Sequence, residues 1–307
     1  MSISVKNLTK IYGNQHAVDA ISFEVSKGEI LGFLGPNGAG KSTTMKIATC
    51  YIPPTFGTIE VCGYDVVERP MEVRKLIGYL PEHNPLYLDM YVHEYLEFIA
   101  SLHGLSGRNG RLRVNEMIEM CGLGVEQHKK IGALSKGYRQ RVGLAQAMVH
   151  DPEVFILDEP TTGLDPNQIV EIRNLIKNIS QDKTVIFSTH IMQEVEALCN
   201  RVIIIDSGKI VVDKTVEGLQ QGVETYHKLT AQFAERIEVE ELKSIDGVLE
   251  VIEEEIGTYI IHTELSKDLR PVIFNFAMEH RKSLLELKQE EVSLENIFHK
   301  LTKNINS

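Results

Sequence analysis

An α/β fold with a largely parallel sheet is what this sequence predicts, and three observations carry that expectation. Short, almost wholly apolar runs recur as "EILGFLG", "EVFILDE", "TVIFST" and "RVIIIDSG". Runs of this kind suit strands buried on both faces. Helical stretches at 167–179 and 191–199 separate the later runs. Alternating strands and helices imply a parallel sheet with helices on both faces. Finally, a glycine-rich loop joins "EILGFLG" to "KSTTMKIATC", which reads as helix.

Taken in order, "SISVKNLTKIYG" alternates and reads as an edge strand, "AISFEV" as a second strand and "SKG" as a turn. From Pro85 to about Ala147 the pattern turns helical. "VHEYLEFIASLHG" and "RVNEMIEMCGL" repeat apolar residues every three or four positions, and Gly104, Gly107 and Gly110 punctuate them. This predicts an inserted helical subdomain at about 85–150. After about Val223 the pattern is strand "ETYHKLTA", helix "AERIEVEELKSI", strands "VLEVIEEE" and "TYIIHTEL", helix "LRPVIFNFAMEH" and strand "SLLELKQE". The order βαββαβ predicts a small α+β domain of split-βαβ type. A last helix, "SLENIFHKLT", would start at an N-cap, Ser293. The expected domains are 1–222 and 223–307.

Composition narrows the function. The 307 residues are 43% hydrophobic and 24% charged, enough for a real core. Net charge is −11, and residues 224–307 hold 17 acidic against 10 basic residues, a net of −7. Such a tail is a poor nucleic-acid binder, which needs clustered positive charge. The four cysteines form no CxxC pair, so a reduced, cytosolic setting is expected. No apolar run approaches the ~18–20 residues that span a bilayer, so a membrane role would act through a partner.

"GPNGAGKST", Gly35 to Thr43, fits the P-loop pattern G-x-x-x-x-G-K-[ST] and follows a buried strand. Gly35, Pro36, Asn37, Gly38, Ala39, Gly40, Lys41, Ser42 and Thr43 are therefore the expected phosphate cradle. Backbone N–H groups and the helix N-terminus would wrap the phosphates. Lys41 would reach the β- and γ-phosphates, and Ser42 would ligate Mg²⁺. "VFILDE" puts Asp158 and Glu159 at a strand's carboxyl end, where α/β sheets bind ligands. Asp158 suits the Mg²⁺ shell, and Glu159 would orient or deprotonate the attacking water. "STH" sets His190 at the same edge, within reach of the γ-phosphate or the water. The turn "LSKGYRQR" opens a second helix and forms a second anion site.

A P-loop alone leaves kinases, GTPases and motors open, although no NKxD motif for guanine is present. Over residues 1 to about 222 the chain resembles the ATP-binding cassette (ABC) ATPases. "LSKGY" looks like their signature LSGGQ, "LDEPTTGLDP" like Walker B and the D-loop, and "STH" like the H-loop. The resemblance implies a P-loop NTPase cassette with an antiparallel β subdomain. It also implies two cassettes paired head to tail, with ATP between the P-loop of one and the signature of the other. By that match Tyr12 stacks on adenine, Ser135 and Gly137 meet the γ-phosphate, and Asp165 works across the dimer interface. Tyr12 also fits a core or edge tyrosine, and Asp165 also fits a helix cap before Pro166. Where the family has the Q-loop Gln, this chain has Glu82, a carboxylate that would sense Mg²⁺ and γ-phosphate. Lys136 and Tyr138 replace signature Gly and Gln, and a backbone that needs glycine at 136 would be strained.

"VSLENIFHKLT" resembles the closing segment of ATPases serving ABC-2 type exporters, and "IGYLPEHNPLY" looks most like gliding-motility ABC transporters. The resemblance therefore implies a homodimer bound to a membrane-spanning ABC-2 type permease, on the cytoplasmic face of the membrane. The permease would dock near Pro85–Leu86–Tyr87. Tyr87, Tyr91 and Tyr95, four residues apart, also suit a packing face. A soluble ABC ATPase acting on DNA or the translation machinery is the alternative. It is disfavoured by one set of motifs and no basic run. A non-hydrolysing scaffold is disfavoured because Asp158, Glu159 and His190 are all in place.

Overall fold

A computed structural model describes residues 1–180, 182–221, 226–264 and 267–290. The chain divides into two compact units, Met1–Val216 and Glu217–Ser307.

In the first unit, β1 (Ile3–Tyr12) and β2 (Gln15–Val25) form a hairpin around Gly13 and Asn14. Gly13 has φ +58°, the conformation a two-residue hairpin turn asks for. The buried strand β3 (Ile30–Leu34) leads into α1 (Lys41–Ala48). Next come β4 (Phe56–Val61), β5 (Tyr64–Asp65), α2 (Pro70–Leu76) and β6 (Ile77–Leu80). The helical segment holds α3 (Val92–Leu102), α4 (Gly107–Met120) and α5 (Lys136–Met148). The unit continues through β7 (Val154–Asp158), α6 (Pro166–Ile179), β8 (Thr184–Thr189), α7 (Met192–Leu198), β9 (Arg201–Asp206) and β10 (Lys209–Thr215). Helix α8 (Val216–Gln221) follows.

Two sheets result. One is antiparallel, in the order β2-β1-β4-β5. The other has the order β10-β9-β3-β8-β7-β6 and is parallel except for the β9–β10 pair. Every residue of β7 and β8 is buried, which explains their unbroken apolar runs. The apolar faces of both sheets meet in one core that includes Leu8, Phe23, Phe33 and Met45.

Two expectations need correction here, and three short strands join those expected. The strands β4, β5 and β6 went unread, because β4 is interrupted by Gly57 and the other two have two and four residues. Gly107 and Gly110 do not end a helix; both lie in the first turn of α4. A side chain at 110 would stand 2.8 Å from the Leu105 carbonyl oxygen, so glycine there allows a close approach. Tyr95 is buried and meets Tyr87 edge-on at 5.9 Å, but Tyr91 is exposed and caps α3, so the three do not form one packing stripe.

In the second unit, β11 (His227–Phe233), α9 (Val239–Lys243), β12 (Val248–Glu255), β13 (Thr258–Thr263), α10 (Arg270–Glu279) and β14 (Leu284–Glu290) follow in order. The sheet order β12-β13-β11-β14 with antiparallel neighbours is a split-βαβ arrangement. Helix α9 is shorter than "AERIEVEELKSI" predicts. The buried Tyr259 hydroxyl donates to the Ile237 carbonyl at 2.6 Å and accepts from the Ile237 N–H at 2.8 Å, holding that backbone outside the helix. The expected helix at 293–302 lies outside the described residues.

Candidate nucleotide site

The site begins where β3 ends. A side chain at Gly35 would collide with the Ile205 carbonyl, so only glycine lets the loop turn there. Gly40, with φ +111°, precedes α1 and packs against Ala17, whose carbonyl would lie 2.5 Å from an added Cβ. Lys41 is 5% exposed, and its Nζ donates to the carbonyls of Gly35 (2.7 Å) and Pro36 (3.2 Å). It also lies 3.5 Å from Glu159 Oε1.

The carboxyl ends of β7 and β8 supply the opposite wall. Asp158 is buried, and its Oδ1 accepts from Ser188 Oγ at 2.6 Å and from Ser42 Oγ at 3.2 Å. Glu159 is buried too, with a left-handed φ of +50°, a conformation costing a non-glycine residue ~1–3 kcal/mol. Its Oε2 accepts from Thr162 Oγ1 at 3.1 Å and lies 2.8 Å from His190 Nδ1. Its Oε1 is buried and makes no hydrogen bond. A cavity of about 310 Å³ opens here, lined by Asn37, Gly38, Gly40, Lys41, Ser42, Thr43, Ala17, Glu82, Glu159, Thr162 and His190.

Glu82 is exposed and also borders a second cleft of about 560 Å³ beside the helical segment. His103 and His150 stack there, ring centroids 3.9 Å apart. Burial, then the neighbouring His103, push His150 down to about 4. Burial and the nearby Asp158 charge push the Tyr79 phenol well up.

Of the other expected residues, Asp158 borders the cleft of about 560 Å³ rather than the nucleotide cavity, and Gly35, Pro36, Ala39, Tyr12, Ser135, Gly137 and Asp165 line neither. Tyr12 ends β1 half exposed, with Lys10 Nζ 5.2 Å from its ring centre. Ser135 is the exposed N-cap of α5, and its Oγ accepts from the Tyr138 N–H at 3.4 Å. Asp165 caps α6 by accepting from the Gln168 N–H at 3.0 Å. Gly137 packs against the Gln168 side chain, which would lie 2.7 Å from an added Cβ. The Lys136 departure is not strained as expected. It opens α5 with a negative φ, and its ammonium reaches the space over Gly163.

The arrangement suits phosphates and a hard cation. The N-terminus of α1 points N–H groups into the cavity, and Lys41 adds a positive charge. Ser42 and Asp158 bring two oxygens together, and Glu159, the residue after Asp158, adds an Oε1 that makes no hydrogen bond and lies 3.5 Å from Lys41 Nζ. Mg²⁺ favours such oxygens and keeps several waters. No group of three or more His, Cys, Asp or Glu residues that could hold a metal ion occurs among the described residues.

The sequence profile of the ABC transporter family matches residues 18–162, and that of an AAA domain (putative AbiEii toxin, Type IV TA system) matches 130–196. The linearmycin resistance ATP-binding protein LnrL of Bacillus subtilis is 34% identical over 304 residues, 98% of each chain. The chain belongs to the ABC transporter ATP-binding proteins.

This ABC protein is an ATP hydrolase. It is also similar to the Nod factor export ATP-binding protein I of Burkholderia orbicola, at 32% identity over 98% of this chain and 96% of that one. Among solved structures, the dimeric post-hydrolysis cassette MJ0796 bound to ADP and Pi superposes with a TM-score of 0.65 at 26% identity. That match covers 70% of this chain and 98% of the other. The ABC cassette thus matches the expected fold class, parallel core, antiparallel subdomain and helical insertion together.

Sequence reasoning about this ABC ATPase missed Ala17, Thr162 and Ser188. Ala17 and Thr162 face the cavity, and Ser188 holds Asp158. Ser188 is the first residue of "STH" and Thr162 the last of "LDEPTT", so membership of a recognised motif was the available signal.

Proposed function

We propose that this chain is the ATP-hydrolysing subunit of an ABC-2 type exporter and works as a homodimer. Residues 1–222 form the cassette, and 223–307 form an accessory domain. The observation that carries the exporter reading is likeness over 98% of the chain, C-terminal residues included, to proteins named for linearmycin resistance and Nod factor export. Gliding motility has no support among those relatives, so the proposal stops at export.

Lys41 leaves the Gly35 and Pro36 carbonyls to contact the β- and γ-phosphates of ATP, and P-loop N–H groups bind the phosphate oxygens. Tyr12 stacks on adenine. Ser42 and Asp158, helped by Glu82, would hold Mg²⁺, which when bound would neutralise charge developing on the phosphates. Glu159 orients and deprotonates the attacking water, and His190 holds Glu159 and reaches the γ-phosphate. Ser135 and Gly137 of a second cassette close on the same phosphate, and Asp165 lies at the interface. Loss of the γ-phosphate removes the bridge and lets the pair open.

No helix among the described residues is long and apolar enough to cross a membrane. On the exporter reading the subunit sits on the cytoplasmic membrane face, held by a permease. The test is affinity purification of the full chain from membranes solubilised in mild detergent. Recovery of a multi-span membrane protein supports the exporter reading. Recovery of ribosomes or DNA instead favours the soluble alternative.

A further inference from the structure

A second carboxylate is buried behind the nucleotide site. Glu194 on α7 has no exposed surface. Thr161 donates a hydrogen bond to its Oε1, and Thr189 donates to its Oε2 at 2.6 Å. The Thr189 hydroxyl also accepts from the Ile191 N–H at 3.1 Å, which leaves its single proton for Glu194. Arg173 on α6 lies 3.9 Å from Oε1 and supplies the countercharge.

The placement of these donors is the significant point. Thr161 and Thr189 each precede a residue that contacts Glu159, namely Thr162 and His190. Two carboxylates therefore engage the same two loops, one residue apart. Strand pairing cannot do this work. The β7–β8 ladder ends at Asp158 and Ser188, and one further backbone bond, Glu159 N–H to Ser188 O at 3.0 Å, follows. Beyond that bond, side chains join the two loops; the backbone bonds that follow, Thr162 N–H to the Glu159 carbonyl and Leu164 N–H to the Thr161 carbonyl, lie within the first loop. Stability alone does not call for a charge here, because replacing a buried ion pair by apolar residues of similar volume is often neutral.

We infer that Glu194 is a positioning residue for ATP hydrolysis. It clamps the loops after β7 and β8 so that His190 and Thr162 meet Glu159 in one geometry. Through Arg173 it also ties them to α6, whose first turn Asp165 caps. The inference rests on reading Glu159 and His190 as catalytic groups.

Steady-state hydrolysis by the full chain, with its thermal midpoint, tests the clamp. Glu194→Gln is expected to lower kcat by about 10–100-fold, the range typical of residues that orient a functional group. KM for ATP should stay within about threefold, since ground-state binding is untouched. The kcat–pH profile should shift, because the contact between His190 and Glu159 is no longer held. Adding Thr161→Val to Glu194→Gln should cost less than about twofold more, as the two act through one contact. A parent-like kcat for Glu194→Gln, or fully additive losses, overturns the inference. If Glu194→Gln does not fold, Thr161→Val and Thr189→Val decide. A lower kcat at constant KM upholds the clamp, and a parent-like kcat overturns it. Glu159→Gln is measured alongside. If it hydrolyses ATP at the parent rate, the catalytic reading itself fails. If it is inactive while Glu194→Gln is not, only the clamp fails.

Discussion

Lys41, Asp158 and Glu159 are at most 6% exposed and already linked to one another or to Ser42 and His190, whereas Ser135 and Lys136 stand in solvent. The P-loop side of this cassette is thus assembled within one chain. The signature side is shaped, with Ser135 capping α5 and Gly137 seated on Gln168, but neither residue lines the nucleotide cavity. The difference teaches that binding and hydrolysis can be separated. On the proposed reading, one chain holds the groups that bind ATP and a second copy completes the site.

Substitutions on each side break that contrast in different ways. Glu159→Gln should have the largest effect, a loss of hydrolysis of about 10²–10⁴-fold, the usual worth of a general base. ATP-dependent dimers should accumulate, which size-exclusion chromatography with ATP would show. Monomers at every ATP concentration would sink the two-copy site. Ser135→Arg should come next, with hydrolysis about a hundredfold lower, comparable to losing one oxyanion donor. ATP binding to the single chain, read by equilibrium titration, should change by less than about twofold, because Ser135 lies outside that cavity. A large loss of single-chain affinity would contradict the division of labour.

Smaller effects sharpen the comparison at the join between the sides. Glu82 borders both the nucleotide cavity and the cleft beside the helical segment. Glu82→Gln should raise the Mg²⁺ concentration for half-maximal hydrolysis by about two- to fivefold, since a carboxylate binds Mg²⁺ better than an amide. An unchanged Mg²⁺ titration would make Glu82 a solvated loop residue. Leu86→Asp should reduce permease recovery in membrane pull-downs by about tenfold, as burying an unpaired charge at an interface is costly. A matching fall in thermal midpoint would instead mark Leu86 as core.

Much of the site was legible in the sequence. "GPNGAGKST" reads directly because a phosphate loop is a local object: its glycines, lysine and helix start are consecutive. The runs of β7 and β8 show their burial through composition alone. What stayed hidden was either short or distant. Strand β5 has two residues, too few for any periodicity. The α9 helix is cut short by Tyr259, a residue 22 positions from Ile237. Glu194 reads as an ordinary helical glutamate in "MQEVEAL" until Thr161, 33 residues away, is brought against it.

The two anion sites, "GPNGAGKST" and "LSKGYRQR", divide along the same line. Sequence by itself determined that each forms a turn at a helix start, because the donors are neighbouring backbone N–H groups and the caps are adjacent residues. Only the tertiary structure decided which groups share a cavity. The sheet order β3-β8-β7 places Ser42 beside Asp158 across 116 residues and His190 beside Glu159. Strand order depends on how whole apolar faces pack, and no local pattern records it.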